Sequence, residues 1–210
     1  MNLQNLFKLQ ETLASNVILE DRFGKIRLIG GIDAAYSGDT ATCVAVVLDY
    51  RTLEPVESAH VRSRTTFPYI PGLLSFRESP IMKKAYLKLR HKPDILLVNG
   101  NGLIHPRGLG IASHLGIMLD TPTIGVAQRL LCGEVGKDGL IFLNGRHVGY
   151  EYRAQGIHSR NPQRTGAPIY ISPGHKVSLK SSLRIVKHCI AGHKLPEPLF
   201  LADKLSKQLK

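Results

Sequence analysis

Proline brackets a dipeptide in Pro68-Tyr69-Ile70-Pro71, and Gly72 follows at once. Proline fixes its own φ and restricts the residue before it, so this segment is stiff. A stiff, exposed Tyr69 offers a flat ring that can stack on a nucleobase. Glu78 follows in Leu73-Leu74-Ser75-Phe76-Arg77-Glu78, close enough in sequence to reach a metal beside that base. Asp33 interrupts the apolar run from Leu28 to Tyr36, and Asn99 ends the apolar run Ile95-Leu96-Leu97-Val98. A carboxylate buried in a strand is costly unless it is paired or holds a cation. Read singly, each residue has a plainer role. Asp33 is then a turn or capping residue, Glu78 an N-terminal helix carboxylate, and Asn99 a strand-ending turn residue. Asp33 and Asn99 come together only if their strands are neighbours.

Two further segments carry polar groups. In Asn99-Gly100-Asn101-Gly102-Leu103-Ile104-His105-Pro106-Arg107 the glycines allow close backbone approach to a ligand, and His105 and Arg107 can contact phosphate or brace the loop. His175, in Ser172-Pro173-Gly174-His175-Lys176-Val177-Ser178, stands just before an expected helix. A histidine there can move a proton or hold a leaving phosphate; in isolation it reads as a solvated loop residue.

The elements that must position these groups alternate. Leu6, Leu9, Leu13 and Val17 predict a helix over 5–20. Strands are predicted over 28–36, 42–49 and 55–63 as an antiparallel meander. A basic helix over 78–90, a strand over 94–99, a helix over 108–119 and a strand over 123–127 follow. Residues 140–153 read as a hairpin centred on Asn144-Gly145. A strand over 168–172 and helices over 178–191 and 199–209 complete the chain. A meander followed by alternation implies an α/β fold with a mixed sheet flanked by helices. In such sheets, ligands gather at the carboxyl ends of the central strands.

At 210 residues, with no internal repeat, the chain reads as a single domain, 1–210. The net charge of +12 is uneven, because residues 151–210 hold eleven Lys and Arg against three Asp and Glu. Such a basic surface favours a polyanion, most often nucleic acid. No apolar run has the length that crosses a bilayer, so no membrane partner is expected. The N-terminal residues lack the apolar stretch of a signal peptide. Cys43, Cys132 and Cys189 are odd in number and far apart, which suggests buried thiols in a reducing, cytoplasmic setting.

Taken together, the segments resemble the endonuclease V family of inosine-directed, RNase H-like nucleases. The resemblance runs from about Gly31 to Ala202. It includes Gly31-Ile32-Asp33, the block Pro68–Glu78, Gly100-Asn101-Gly102 with His105-Pro106-Arg107, and Gly110–Gly116. Pro122–Ala127, Gly174-His175 and Leu195-Pro196-Glu197-Pro198 continue it.

The resemblance implies cleavage of DNA or RNA at the second phosphodiester on the 3′ side of inosine, leaving 3′-hydroxyl and 5′-phosphate ends. It implies Mg²⁺ or Mn²⁺ held by carboxylates, of which Asp33 and Glu78 match two. Pro68, Tyr69, Ile70 and Pro71 match the wedge that fills the gap left by an everted base. Gly72, Leu74, Gly100, Gly110, Ile111 and Gly125 match a hypoxanthine pocket built largely from backbone. His175 matches a histidine near the scissile phosphate. An inosine pair is weak and costs little to open. A monomer suffices for this chemistry.

Two positions depart from the family pattern at the chemistry. Asn99 stands where the family has a third metal-binding Asp, and Gln128 where it has a Lys. At an effective dielectric of about 20, a unit-charge pair at about 4 Å is worth roughly 4 kcal/mol, so losing one carboxylate beside a divalent ion weakens the site. Asp94 cannot substitute, since it lies about 16 Å upstream on the same strand and faces the opposite side. Asp39 and Asp120 are the carboxylates that could approach from elsewhere. Two readings follow: a weakened metal-dependent endonuclease, or a binding protein for inosine-containing nucleic acid that is catalytically impaired or inactive.

Overall fold

The computed structural model describes residues 2–154 and 166–210. Arg160 and Arg164, which contribute to the basic C-terminal charge, lie outside the described residues. The described chain forms one nine-stranded mixed sheet with helices on both faces.

The meander is β1 (Leu28–Ser37), β2 (Thr40–Asp49) and β3 (Pro55–Arg64), antiparallel throughout. Strand β2 is apolar from Cys43 to Leu48 and buried on both faces. In β3, exposed and half-buried residues alternate, as suits an edge strand. After α2 (Leu74–Lys88), β4 (Ile95–Asn99) pairs in parallel with β1. After α3 (Ile111–Leu119), β5 (Thr123–Ala127) pairs in parallel with β4. The remaining strands are antiparallel: β6 (Glu134–Val135), β7 (Leu140–Leu143), β8 (Arg146–Tyr152) and β9 (Ile169–His175). The spatial order β3-β2-β1-β4-β5-β9-β8-β7-β6 puts β1 beside β4. Asp33 and Asn99 thereby reach the same edge.

One face of the sheet packs α4 (Leu179–His188) and α5 (Glu197–Gln208) over Ile29, Val44, Val46, Leu97 and Ile124. The other packs α2 and α3 over Ile32, Cys43, Ala45, Leu96 and Val98. Helix α5 comes very close to β1, because a Cβ on Gly31 would lie 2.2 Å from the Pro198 carbonyl oxygen. Helix α1 (Leu3–Ala14) begins earlier than predicted, because the Asn2 side chain caps it by accepting from the Gln4 N–H, and it ends sooner, at Ala14. Helix α2 also begins earlier, so Glu78 lies one turn inside it rather than at its start. Strand β9 runs on to His175, beyond the predicted 168–172. The short β6 was not expected. The Asn144-Gly145 turn is as predicted, with both residues at positive φ. All three cysteines are free, and Cys43 and Cys189 are buried. Among the described residues no helix is long and apolar enough to cross a membrane.

Candidate active site and base pocket

Asp33 and Asn99 are joined directly: Asn99 Nδ2 donates to Asp33 Oδ1 at 2.7 Å. The other carboxylate oxygen of Asp33 accepts from Ser206 Oγ at 3.3 Å, across from α5. Asp33 is buried, and desolvation raises its pKa to about 6. The Asn99 hydrogen bond opposes that rise, and the charge of Asp203 on α5 adds to it. Glu78 is raised to about 7, by desolvation first and then by the charge of Asp33. The Tyr36 hydroxyl and the Arg77 guanidinium oppose this. Two carboxylates from β1 and α2 thus share one low-dielectric space, and the charge of Asp33 makes Glu78 harder to ionise.

Next to this cluster lies a cavity of about 600 Å³. Tyr69, Ile70, Pro71 and Gly72 form one wall, with Leu74 and Ser75 from the start of α2. Asn99, Gly100, Asn101, Gly110 and Ile111 form the opposite wall, and Gln128 to Leu131 close the rim. Tyr69 is 69% exposed, as a projecting tip should be. Gly100 packs so tightly that a Cβ there would lie 2.4 Å from Ile111 Cγ2. Gly125 does not line the cavity. It lies beneath the Gly100–Gly102 backbone, where a Cβ would meet the Gly102 nitrogen at 2.4 Å. Ser75 Oγ and Asn101 Oδ1 are buried, with no hydrogen-bond partner among the described residues. Pro68 precedes the wall and is not part of the lining.

His175 is not at this site. It pairs with Thr123 at the start of β5, whereas the cavity is lined by Ala127 and Gln128 at the other end of that strand. Its Nδ1 accepts from the Ile18 N–H at 3.3 Å, and burial with the nearby Lys176 lowers its pKa. Asp39 pairs with Arg64, and Asp120 with Lys176, so neither joins the cluster. Asp94 accepts from the Arg27 and Leu28 N–H groups at the opposite end of β1. The carboxylate that does approach is Asp203, which sequence reasoning missed. Lys194 was missed as well: its Nζ donates to Gln128 Oε1 at 3.4 Å, so a cation stands where Gln128 offers none.

Among the described residues no three His, Cys, Asp or Glu side chains are arranged to cage an ion. Mg²⁺ does not need such a cage, because one or two carboxylates plus substrate phosphate oxygens suffice. Asp33 and Glu78 fit that pattern: both are hard oxygen donors, both are buried, and among the described residues neither forms an ion pair with a basic side chain. Asn99 fits less well, since its amide nitrogen is the atom turned toward Asp33.

The comparisons with known proteins agree along the chain. The family model described as Endonuclease V matches residues 11–204. An endonuclease V of Azotobacter vinelandii is 43% identical over 202 residues, covering 94% of this chain and 90% of the relative. One from Dictyoglomus turgidum is 40% identical over 209 residues, covering 96% and 88%. A Ciona intestinalis endonuclease V variant, solved with a 23mer DNA containing an inosine followed by a ribo-adenosine, superposes with TM-score 0.86. It is 27% identical, over 99% of this chain and 96% of that one. The sheet and its flanking helices have the RNase H-like fold, and this chain belongs to the endonuclease V family.

Proposed function

We propose that this protein binds inosine-containing nucleic acid in the cavity between Tyr69 and Ile111. It hydrolyses the second phosphodiester on the 3′ side of that base, with a metal site weakened by Asn99. The observation that carries this reading is continuity. One cavity has the wedge on one wall and the glycine loop on the other, and Asn99 on its lining is hydrogen-bonded to Asp33. A base turned out of a strand enters the cavity, and Tyr69 takes its place in the stack. Ser75 Oγ and Asn101 Oδ1 have unspent hydrogen-bonding capacity beside the base.

Asp33 and Glu78 would hold the divalent ion, Mg²⁺ or Mn²⁺. When bound, it supplies Lewis-acid stabilisation of the phosphoryl oxygens and activation of water. Asn99 holds Asp33 in one orientation, and Ser206 braces it from behind. Lys194, through Gln128, keeps a positive charge near the path of the phosphates.

The second reading, an inosine-binding protein that cleaves poorly or not at all, is favoured by one observation. The Asn99 amide nitrogen, not its oxygen, faces Asp33, so Asn99 donates a hydrogen bond there and adds no negative charge. Mapping the cut on end-labelled inosine single strands, DNA and RNA, separates the two. A nick at the second bond 3′ to inosine supports the enzyme; tight inosine binding with no nick supports the binder.

A further inference from the structure

Helix α1 buries one residue, and that residue is polar. Gln10 is 1% exposed, while Leu3 and Leu9 on the same helix lie open to solvent. Burying an amide is unfavourable unless both its ends are used, and here both are. Gln10 Nε2 donates to the Gly72 carbonyl at 2.9 Å, and Gln10 Oε1 accepts from Arg107 Nε at 2.6 Å.

Gly72 is the hinge at the foot of the Tyr69 wedge, with φ at +76°, a conformation that favours glycine. Its carbonyl takes two donors besides Gln10: Arg107 Nη2 at 3.1 Å and His105 Nε2 at 3.0 Å. The roles on His105 are fixed by geometry. Its Nδ1 accepts from the Arg107 N–H at 3.2 Å, so Nε2 carries the hydrogen. Burial keeps the ring neutral, with a pKa lowered to about 4. Phe7, one turn before Gln10, lies under the Arg107 guanidinium at 4.2 Å. Three donors on one carbonyl oxygen are more than its two lone pairs require. Such convergence holds a backbone group in place.

We propose that Gln10 is a positioning residue for the substrate: carried on α1, it clamps the Gly72 carbonyl and so sets the direction and stiffness of the Tyr69 tip against the everted base. Both α1 contributors, Phe7 and Gln10, precede residues 11–204, the part matched by the family model. The proposal rests on reading the cavity as an inosine site, and its test separates the two claims.

Gln10→Leu removes both hydrogen bonds. Gln10→Glu keeps an acceptor for Arg107 but turns the donor to Gly72 into a second acceptor. Binding is measured in chelator with inosine and adenosine single strands. Wedge insertion is followed in a duplex carrying 2-aminopurine beside the inosine. Both variants should retain the far-ultraviolet circular dichroism of the unmutated protein. Both should bind inosine strands about tenfold more weakly, leave adenosine-strand affinity unchanged, and lose most of the 2-aminopurine signal. A purely structural role would lower the melting temperature and leave discrimination intact below it. If Gln10→Leu does not fold, Gln10→Glu decides. Full inosine preference and full signal in a folded variant overturn the clamp alone. No inosine preference in the unmutated protein overturns the pocket reading, and the clamp with it.

Discussion

Asn99 and Asp33, carried on adjacent parallel strands, are joined by a 2.7 Å hydrogen bond from the Asn99 amide to the Asp33 carboxylate. A second carboxylate at position 99 would place two negative charges at hydrogen-bonding distance, a pairing that needs a cation to hold it. With Asn99 the pair is satisfied without one. The departure at Gln128 has the opposite sign: it removes a positive charge where Asn99 removes a negative one. Lys194, whose Nζ donates to Gln128 Oε1 at 3.4 Å, brings a positive charge to that position from another part of the chain.

The buried carboxylates make stability depend on pH in a defined direction. Glu78 is raised from 4.5 to about 7 in the fold, and Asp33 from 3.8 to about 6. The folded chain therefore keeps protons that the unfolded chain releases, and stability is highest below the unfolded values and falls as pH rises through the folded ones. Glu78→Gln removes this cost. In chelator, its melting temperature should exceed that of the unmutated protein at pH 8, and the gap should close near pH 4. Adding Mg²⁺ at pH 8 should stabilise the unmutated protein more than the variant. A variant that melts lower at pH 8 would contradict this account.

Gly125 supports the pocket from below. A Cβ there would lie 2.4 Å from the Gly102 nitrogen and 2.7 Å from the Asn101 carbonyl carbon, both backbone atoms. Gly125→Ala should displace the Gly100–Gly102 loop and weaken inosine-strand binding about tenfold or more, with a loss of roughly 1–3 kcal/mol of stability from overpacking. Anisotropy titration and thermal melts read both. Unchanged inosine affinity would show that the loop does not form the pocket wall.

Arg62 and Arg64 point to the same face of the sheet as Asp33, two strands over and two and four residues further along, which is about 12 and about 17 Å away. Both are exposed. We expect the strand flanking the cleaved position to cross them. Replacing both with Gln should weaken inosine and adenosine strands alike and reduce the slope of log affinity against log salt by about 1 to 2. An unchanged slope would place the strand elsewhere.

Lys194 reaches Gln128 Oε1 from the segment before α5. Lys194→Met should slow cleavage about tenfold in single-turnover assays, because a cation near the phosphate path is lost. Gln128→Lys in the same background should restore most of the rate. No rescue would show that Lys194 does not stand in for the lysine missing at position 128.

The strands were legible because their patterns are simple. Ile95–Asn99 and Thr123–Ala127 are short apolar runs that become buried central strands, and the Asn144-Gly145 pair marks its turn unambiguously. The Asp33–Asn99 contact was foreseeable once those strands were taken as neighbours. Asp203 was not. With Lys207 one turn on, at 2.7 Å, it reads as an ordinary surface ion pair. Its approach to Asp33 depends on how closely Gly31 lets α5 come to β1, and that is a tertiary fact. Gln10 escaped notice for the same reason, since its partners lie 62 and 97 residues away. His175 misled in the other direction. A histidine before a helix can move a proton or hold a leaving phosphate, but pairing with Thr123 places this one at the far end of β5 from the cavity.

The measurement that bears most directly on the central claim is a nicking assay on inosine-containing single strands with Mg²⁺ and, separately, Mn²⁺. It compares the unmutated protein with Asn99→Asp. A slow nick at the second bond 3′ to inosine is expected from the unmutated protein, and a rate about a hundredfold higher from Asn99→Asp at subsaturating metal. Equal rates for the two proteins, or cutting that ignores inosine, would contradict it.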